Sequence, residues 1–448
     1  MLRRKIDTYI RNYYAVSRNA LLITGARQVG KTFSIREFGK SFKSFIEINF
    51  VEMPEAVEAF KKTMNSKDIL LRLSALTNQS LIKGETLIFF DEVQLCPEIV
   101  TAIKFLVDEG SYRYILSGSL LGVILKDLRS EPVGYMGVKQ MFPLDFEEFI
   151  TAVGVQPQVI EALRKAWEGR APVDDVLHAK MLELFRLYLV VGGMPAAVTQ
   201  YLESNNLQEV MLIQRDIIHL YKRDIAQYDP GEKLHIEEIF NLIPSELNAQ
   251  NKRFILKSLN EKARFSRYEN SFLWLSNAGV ALPVYNIEEP KPPLLLARSR
   301  NLFKLFQNDV GLLAAQYANG IQLRIILGDD SINMGSIYEN AIAQELTAHG
   351  YTPYYYNNKK KGEIDFIIEQ DGKVLPIEVK SGKEYQRHHG LVNVMNVPEY
   401  AIDQAIVFSH NNVQLDGRIL YAPIYMVMFI TKENGTPSIY KVDLSTIQ

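Results

Sequence analysis

The sequence predicts an α/β fold built from two α/β parts, one at each end of the chain. At 20–34, an apolar run of strand length leads into a glycine loop and then a helical segment. Two further apolar runs, within 86–94 and 112–122, end in polar residues, as strands do where a parallel sheet forms a site. Near the other end, an amphipathic helical pattern at 336–350 precedes a hairpin at 363–380 with a tight Asp-Gly turn. We therefore expect a parallel sheet with helices, followed by further helices and a second α/β domain.

The length and composition indicate a globular protein with more than one core. The 448 residues, of which 47% are hydrophobic and 23% charged, exceed the roughly 250–300 residues at which single cores stop growing. Lys and Arg (50) nearly balance Asp and Glu (52), so any contact with nucleic acid must come from local patches. The single cysteine, Cys96, excludes an internal disulfide framework and fits a reducing compartment.

The N-terminal segment predicts an amphipathic helix and not a signal sequence. Ile6, Tyr9, Ile10 and Tyr13 recur at helical spacing, and no apolar core follows the basic residues. Elsewhere, no run approaches the roughly 18 uninterrupted apolar residues that a membrane span needs. We expect a cytoplasmic protein without a membrane partner.

The loop after the first predicted strand has the Walker A spacing of nucleotide-binding proteins. In GARQVGKT, Gly25 is followed after four residues by Gly30, Lys31 and Thr32. Glycines let backbone N–H groups turn around phosphates, and the following helix directs its positive dipole end at them. Lys31 would meet the β- and γ-phosphates, and Thr32 would offer its hydroxyl to Mg²⁺. The alternative is a plain glycine turn. The predicted ATP-binding residues are Gly25, Gln28, Val29, Gly30, Lys31, Thr32 and Phe33.

Polar residues after the next two apolar strands complete the predicted site. Asp91 and Glu92 end the strand in TLIFFDEVQ. Asp91 would hold the coordination shell of the metal ion, and Glu92 would orient or deprotonate water. Alone, these acids could simply cap a strand end. Ser117 and Ser119 follow the third strand, where they could reach the γ-phosphate or the attacking water, or form an ordinary serine-rich turn. Lys31, Glu92, Ser117 and Ser119 are thus predicted to be catalytic, Thr32 and Asp91 to bind metal, and ATP and Mg²⁺ to be the cofactors.

Taken together, the motifs resemble a known group of ATPases. GARQVGKT, FFDEVQ and ILSGS, followed by FPLDFEEF at 142–149, VGGMPAAV at 191–198 and YKRDI at 221–225, are similar to bacterial and archaeal ATPases of the AAA superfamily whose C-terminal half is a domain of uncharacterised function. The resemblance continues to the C-terminal hairpin and covers nearly the whole chain. It implies an AAA-type ATPase core.

One departure from that group concerns the arginine finger, a residue that stabilises the charge of the transferring phosphate. Members often carry a Gly-Arg pair before the FPLDFEEF element, whereas here Tyr135 follows Gly134. The finger is therefore unassigned. Arg129 and Arg223 are candidates, and both could equally be surface ion-pair partners.

The middle of the chain is predicted to be mainly helical. Between 176 and 230, apolar spacing indicates a helical lid, and Gly192, Gly193 and Pro195 suit either a hinge near the nucleotide or a turn between core helices. From 235 to 287, three short helical patterns and an extended segment suggest a winged helix, as the resemblance also implies. Its basic residues could contact DNA phosphates or form a solvated face; they are Lys252, Arg253, Lys257, Lys262, Arg264 and Arg267.

The C-terminal hairpin has the pattern of PD-(D/E)XK nucleases. A helix with Glu339, a strand with Asp365 and a strand ending in Glu378-x-Lys380 would bring two metal-binding acids, a supporting glutamate and a phosphate-binding lysine into one site. Alternation along PIEVK puts Glu378 and Lys380 on one face. Glu363 is an extra acid on the face of Asp365. KKKG at 359–362, with His388 and His389, could touch a phosphate backbone or do nothing. The alternative is an edge hairpin whose alternating charges keep it soluble.

Two functions follow from these patterns. The first is an ATPase coupled to a nuclease-like domain that acts on nucleic acid. The second is an ATP-gated switch or binding module whose nuclease-like domain recognises a protein or DNA partner without cutting it. A protein partner or homo-oligomer is compatible with both. The predicted order is an ATPase core at 1–155, a helical lid at 156–230, a winged-helix-like region at 231–290, a linker with connecting helices at 291–330 and a nuclease-like domain at 331–448.

Overall fold

A computed structural model gives the architecture. It describes residues 2–61, 65–77, 79–119, 134–228, 233–249, 252–259, 261, 264–329, 331–382 and 384–432.

The N-terminal part contains a five-stranded sheet in which every pairing is parallel, as predicted. Its strands are β1 (Ala20–Thr24), β2 (Ser44–Asn49), β3 (Thr86–Asp91), β4 (Arg113–Gly118) and β5 (Met136–Gln140). They lie in the order β2-β3-β4-β1-β5. The carboxyl ends of all five strands therefore meet at one edge of the sheet, where polar side chains can form a site.

Helices cover both faces of this sheet. They are α1 (Lys5–Val16), α2 (Lys31–Gly39), α3 (Glu58–Lys61), α4 (Ser66–Leu76) and α5 (Glu98–Glu109). Successive apolar side chains of β3 point into different cores: Leu87 and Phe89 join the core shared with α1, whereas Ile88 and Phe90 join the core shared with α4 and α5. This explains the uninterrupted apolar runs, which are typical of strands buried on both faces. Ile6 and Ile10 are buried, so the predicted N-terminal helix is confirmed.

In the described residues between β5 and residue 277 there are seven helices: α6 (Phe146–Ala152), α7 (Pro157–Glu168), α8 (Asp175–Val191), α9 (Pro195–Ser204), α10 (Leu207–Tyr228), α11 (Lys233–Asn248) and α12 (Phe265–Asn277). A capping box begins α6, in which Asp145 accepts from the N–H of Glu148, and Glu148 accepts from that of Asp145. Of the three helical patterns expected from 235 to 287, the second, at 252–263, was wrong: among its described residues, only a 3-10 turn at Leu256–Ser258 forms.

In the part of the chain that the structure describes, the second sheet has eight strands, which pair in both parallel and antiparallel directions. They are β6 (Ala281–Ile287), β7 (Arg298–Gln307), β8 (Tyr354–Asn358), β9 (Gly362–Gln370), β10 (Lys373–Val379), β11 (Ala405–Ser409), β12 (Gln414–Asp416) and β13 (Ile419–Pro423). Their order is β12-β13-β11-β10-β9-β8-β6-β7. β6 lies before the domain boundary expected at residue 290, and β7 lies before the one expected at residue 330, yet both strands belong to this sheet. These expected boundaries therefore do not coincide with the limits of the sheet. The segment expected to be a linker contains β7, and the second half of this strand, residues 303–307, is buried.

Short helices and one long buried helix surround the second sheet: α13 (Val310–Ala315), α14 (Ile321–Leu327), α15 (Gly335–Ala348) and α16 (His389–Met395). The expected amphipathic character of α15 was wrong, because its residues from Ser336 to Leu346 are all buried. This helix packs against β6, β7 and β10 of the sheet as well as α8 and α11. Its polar side chains therefore need partners inside the protein.

The predicted tight turn between β9 and β10 is confirmed. Asp371 and Gly372 form it with φ angles of 52° and 73°, which only glycine and short polar residues adopt readily.

A continuous core extends from the inner face of the first sheet to the second sheet. Within the described residues, no single helix is long and apolar enough to cross a membrane. The helices α8 and α9 are long and apolar enough only together, and the chain bends by 120° between them.

Candidate functional site

The loop between β1 and α2 is shaped by three residues with positive φ. Gly25, Gln28 and Gly30 have φ angles of 135°, 67° and 98°. A Cβ atom at Gly25 would lie 2.2 Å from the carbonyl oxygen of Met141, so glycine is required there for the loop to pass the residue that follows β5. The loop brings the N-terminal end of α2, with its free N–H groups, to the edge of the sheet.

Lys31 lies under this loop and is only 8% exposed. Its ammonium group donates to the carbonyl oxygens of Gly25 and Ala26 at 2.9 and 2.8 Å. Burial lowers the pKa of Lys31 to about 8, although the nearby carboxylates of Glu92 and Asp91 favour the charged form. A phosphate group would supply the negative charge that this buried amine lacks.

Asp91 joins the ends of three strands to α2. Its Oδ2 atom accepts a hydrogen bond from the hydroxyl of Thr32 at 3.0 Å and lies 3.5 Å from Nδ2 of Asn49. Its Oδ1 atom accepts from the hydroxyl of Ser117 and from the backbone N–H of Glu92. The hydroxyl and carboxylate oxygens of Thr32 and Asp91 are the donors that Mg²⁺ prefers, so these residues fit the expected metal.

The two other predicted catalytic residues occupy different positions. Glu92 adopts a left-handed conformation, with φ 54°, and accepts from the side chain of Gln94. Ser119 is buried, and its hydroxyl has no hydrogen-bond partner among the described residues. It lines a separate small space beside Arg27 and Tyr221. The structure thus brings Lys31, Thr32, Asp91, Glu92 and Ser117 together and places Ser119 to one side.

An open cavity of about 970 Å³ lies above these residues. Lys31, Thr32, Asp91 and Glu92 line its polar end. Phe33, which is half exposed, lines it together with side chains of α9 and α10. The volume is within the range of small-molecule sites. Gln28 and Gly30 also line the cavity, whereas Val29 is buried behind the loop.

Two arginines that sequence reasoning missed also line the cavity. Arg4 donates to the carbonyl oxygens of Val29 at 3.0 Å and Phe142 at 2.7 Å. Arg27, inside the loop, forms an ion pair of 2.6 Å with Asp224 of α10. Of the predicted arginine-finger candidates, Arg223 is exposed and does not line the cavity, and Arg129 lies outside the described residues.

A chain of hydrogen bonds leads from this loop towards the second sheet. The hydroxyl of Tyr221 donates to the carbonyl oxygen of Arg27 at 3.1 Å, and the amide of Asn308 donates to the same hydroxyl at 3.4 Å. Asn308 directly follows β7. The next residue, Asp309, accepts from the N–H of Gly193 at 2.6 Å. The Gly192–Gly193 turn therefore contacts the segment after β7, between two core helices.

The predicted nuclease-like residues form a second polar cluster. Glu339 of α15, Asp365 of β9 and Glu378 of β10 lie together with Lys380, whose ammonium group is 2.8 Å from Glu378 Oε2. Asp365 Oδ2 accepts from the backbone N–H of Val379 at 2.9 Å. Burial, reinforced by Asp365, raises the pKa of Glu378 to about 8. Adjacent carboxyl groups favour keeping one of them protonated.

Two lysines from outside the predicted set enter this cluster. Lys304 of β7 lies within ion-pair distance of Glu339, Glu363 and Asp365, and Lys252 pairs with Glu339. Lys252 was expected either to contact DNA phosphates or to belong to a solvated face, but here it pairs with a carboxylate. Within the described residues, no group of three or more His, Cys, Asp or Glu side chains is arranged to hold a metal ion. As arranged, this cluster does not fit a divalent metal.

His388 and Lys361, which lie near the hairpin, each contact another side chain of the protein. His388 is buried, and its Nε2 atom lies 2.7 Å from the hydroxyl of Tyr421. Burial lowers the pKa of His388. Lys361, in the KKKG segment, donates to the hydroxyl of Tyr400 at 2.9 Å. His388 and Lys361 therefore have partners within the fold.

Three family models match the chain, in separate segments. Residues 17–150 match an AAA domain, residues 182–323 match a domain of unknown function (DUF8612), and residues 334–426 match another domain of unknown function (DUF4143). The N-terminal part is therefore a P-loop domain of the AAA type. No protein with a curated description matches the chain.

Several solved structures are similar to this chain at low sequence identity. The Walker-type ATPase PABY2304 of Pyrococcus abyssi is 14% identical, with a TM-score of 0.42, over 70% of this chain and 96% of its own. A variant of RuvB from Thermotoga maritima is 13% identical, with a TM-score of 0.27, over 68% and 90%. The Hsp104–ADP complex of S. cerevisiae is 12% identical, with a TM-score of 0.27, over 77% and 42%.

Proposed function

We propose that this protein binds and hydrolyses ATP at the cavity above α2. The observation that carries the proposal is the position of Asp91, whose carboxylate accepts hydrogen bonds from both Thr32 and Ser117. This contact joins the phosphate-binding loop to the acidic end of β3. Such a junction is what phosphoryl transfer requires, because the metal and the phosphates must share one edge of the sheet.

The residues of the cavity have distinct roles in this proposal. Lys31 leaves its carbonyl partners and neutralises the β- and γ-phosphates, while the backbone N–H groups of the loop hold the phosphate oxygens. Thr32 and Asp91 would hold Mg²⁺, which would neutralise charge on the phosphates when bound. Glu92 orients the attacking water and accepts its proton. Ser117 positions Asp91.

The direct test is nucleotide binding and phosphate release by the full chain. Lys31→Ala is expected to abolish both, because the cavity loses its buried cation. Lys40→Ala is the matched control: Lys40 follows α2 and pairs with Glu37 at the surface, so its loss should change neither measurement. ATP turnover by Lys31→Ala at the wild-type rate would refute the proposal.

A second candidate concerns what the nucleotide controls. The hydroxyl of Tyr221 is hydrogen-bonded both to the carbonyl oxygen of Arg27 and to the amide of Asn308, and so connects the phosphate-binding loop to the segment that follows β7. These contacts favour an ATP-gated switch, in which binding of nucleotide to the loop changes the conformation of the C-terminal part. A connection of this kind supports coupling only if a variant that removes it also removes the response.

The partner of such a switch follows from the C-terminal domain. The placement of Glu339, Asp365, Glu378 and Lys380 supports a PD-(D/E)XK-like fold, and Lys257, Arg264 and Arg267 are exposed on the preceding region, which we propose to be winged-helix-like. We therefore propose nucleic acid as the first partner to test and a protein as the alternative. Binding to linear and branched DNA, with and without ATP, separates the two.

A further inference from the structure

The ammonium group of Lys304 lies inside the acidic cluster of the second sheet. Its side chain is 0% exposed, and its Nζ atom is 3.0 Å from Glu363 Oε1, 3.4 Å from Glu339 Oε2 and 4.0 Å from Asp365 Oδ1. Three carboxylates from one strand and one helix therefore surround a single cation. No solvent reaches this group to replace them.

Lys304 reaches the cluster from a distant strand. It belongs to β7, which is separated from β9 by β6 and β8 in the sheet. Its Nζ atom lies over the ring of Tyr355 on β8, 5.1 Å from the ring centroid. The side chain thus crosses the intervening strands, and the face of an aromatic ring adds a favourable contact for its charge.

The cluster is close to neutral without any bound ion. Its acids are Glu339, Glu363, Asp365 and Glu378, and its lysines are Lys252, Lys304 and Lys380. Each acid has a lysine within ion-pair distance. Three lysines beside four carboxyl groups leave at most one negative charge without a cation of the protein. In a metal-dependent site, divalent cations would provide this compensation.

The charge of Lys304 is held in place by its surroundings. Burial alone would lower the pKa of Lys304, but the carboxylates of Glu339, Asp365 and Glu363 reverse this effect and raise the pKa above its ordinary value. Breaking such a buried pair costs far more than breaking an exposed one, because it leaves an uncompensated charge. Lys304 is therefore held in the cluster by its burial and by three carboxylates within 4.0 Å.

We propose that Lys304 is a built-in cation that takes the place of a divalent metal in this cluster. The C-terminal domain then recognises its partner without metal-dependent cleavage. A divalent ion would have to approach the carboxylate oxygens to roughly 2.0–2.6 Å, within a few ångströms of a buried ammonium group that repels it. This inference does not depend on ATP hydrolysis at the other site.

The test is Mn²⁺ binding by the full chain without nucleotide, in an Asp91→Asn parent that removes the ligand near α2. Calorimetric titration should show no Mn²⁺ site in this parent that depends on Asp365. Adding Lys304→Met should create one, with at least a tenfold gain in affinity, because the carboxylates lose their internal cation. Adding Asp365→Asn to that variant should abolish the new site.

A matched control is Lys373→Met, which removes an exposed lysine of β10 that pairs with Asp403 and should leave Mn²⁺ binding unchanged. Thermal melting gives a second readout: Mn²⁺ should raise the midpoint of the Lys304→Met variant and not that of the parent. A folded Lys304→Met protein that gains no Mn²⁺ site would overturn the proposal. So would a Mn²⁺ site in the parent that Asp365→Asn removes, and this comparison needs no change at Lys304.

Discussion

The carboxylate of Asp91 accepts a hydrogen bond from the hydroxyl of Thr32 over 3.0 Å. This contact joins the end of β3 to the first turn of α2, two segments that are about sixty residues apart in the sequence. On the other side, the hydroxyl of Ser117 donates to the same carboxylate. Two neighbouring elements therefore fix the rotamer of Asp91, which presents its oxygens to the cavity.

Ser117→Ala should lower kcat for ATP hydrolysis about 10- to 100-fold and change the affinity for ATP only slightly. The hydroxyl positions Asp91 but does not line the cavity, so its loss should affect the reaction more than binding. Steady-state kinetics measure both. Ser119→Ala is the matched control, because Ser119 faces a separate space. Equal losses in the two variants would contradict this assignment.

ATP affinity should fall as the pH rises above 8. The pKa of Lys31 is lowered to about 8 in the free protein, and bound phosphates favour its charged form, so binding above this pH takes up a proton. Between pH 7.5 and 9, the dissociation constant should increase by up to about tenfold. Equilibrium titration at several pH values, with Lys31→Arg as a permanently charged comparison, measures this. A flat wild-type profile would show that Lys31 does not titrate there.

Tyr221→Phe should uncouple the nucleotide site from the second sheet. The substitution removes the hydroxyl that contacts both the carbonyl oxygen of Arg27 and the amide of Asn308, with little change in packing. We expect ATP to alter hydrogen exchange at 304–310 in the wild-type protein but not in the variant. Tyr201→Phe, on α9, is the control. If the variant keeps the full response to ATP, the switch does not use this route.

Stability should fall between pH 5 and 8, in part through Glu345. Burial, reinforced by Asp145, raises the pKa of Glu345 to about 7, so the folded state holds a proton that the unfolded state has released. Glu345→Gln keeps an acceptor for the N–H of Phe146 and the hydroxyl of Tyr188. Because it cannot ionise, the variant should be more stable than the wild type at pH 8, by roughly 1–3 kcal/mol.

Denaturant unfolding at pH 5 and pH 8 checks this prediction. His349 and Lys5 also face this carboxyl group, and the pKa of His349 is raised as well, so its titration lowers stability in the same direction. The variant should therefore reduce the pH dependence without removing it. An unchanged difference between the two pH values would show that Glu345 is not the titrating group.

Local sequence patterns predicted those elements whose geometry is determined by residues close together in the chain. The loop from Gly25 to Thr32 and the acids after β3 could be placed because strand, loop and helix are contiguous, and parallel strands must end at one edge. The hairpin around Asp371 and Gly372 was predictable for the same reason. In each case, the residues that determine the geometry are neighbours in the chain.

Residues that enter a site from distant segments had no such signal. Lys304 lies in the middle of an ordinary strand, and only the order of the second sheet brings it to Asp365. Arg4 precedes a helix at the N-terminus, yet it braces the loop at Val29. The α15 helix was expected to be amphipathic, but tertiary packing buries its glutamates and amides against partners inside the protein.

The most direct measurement of the central claim is single-turnover hydrolysis of ATP by the Glu92→Gln protein beside the wild type, with ATP binding measured on the same samples. Glu92 lies at the polar end of the cavity and is proposed to activate water. Binding within a few-fold of wild type, with the rate of hydrolysis reduced at least 100-fold, would agree with hydrolysis at this site. Hydrolysis at the wild-type rate would contradict it.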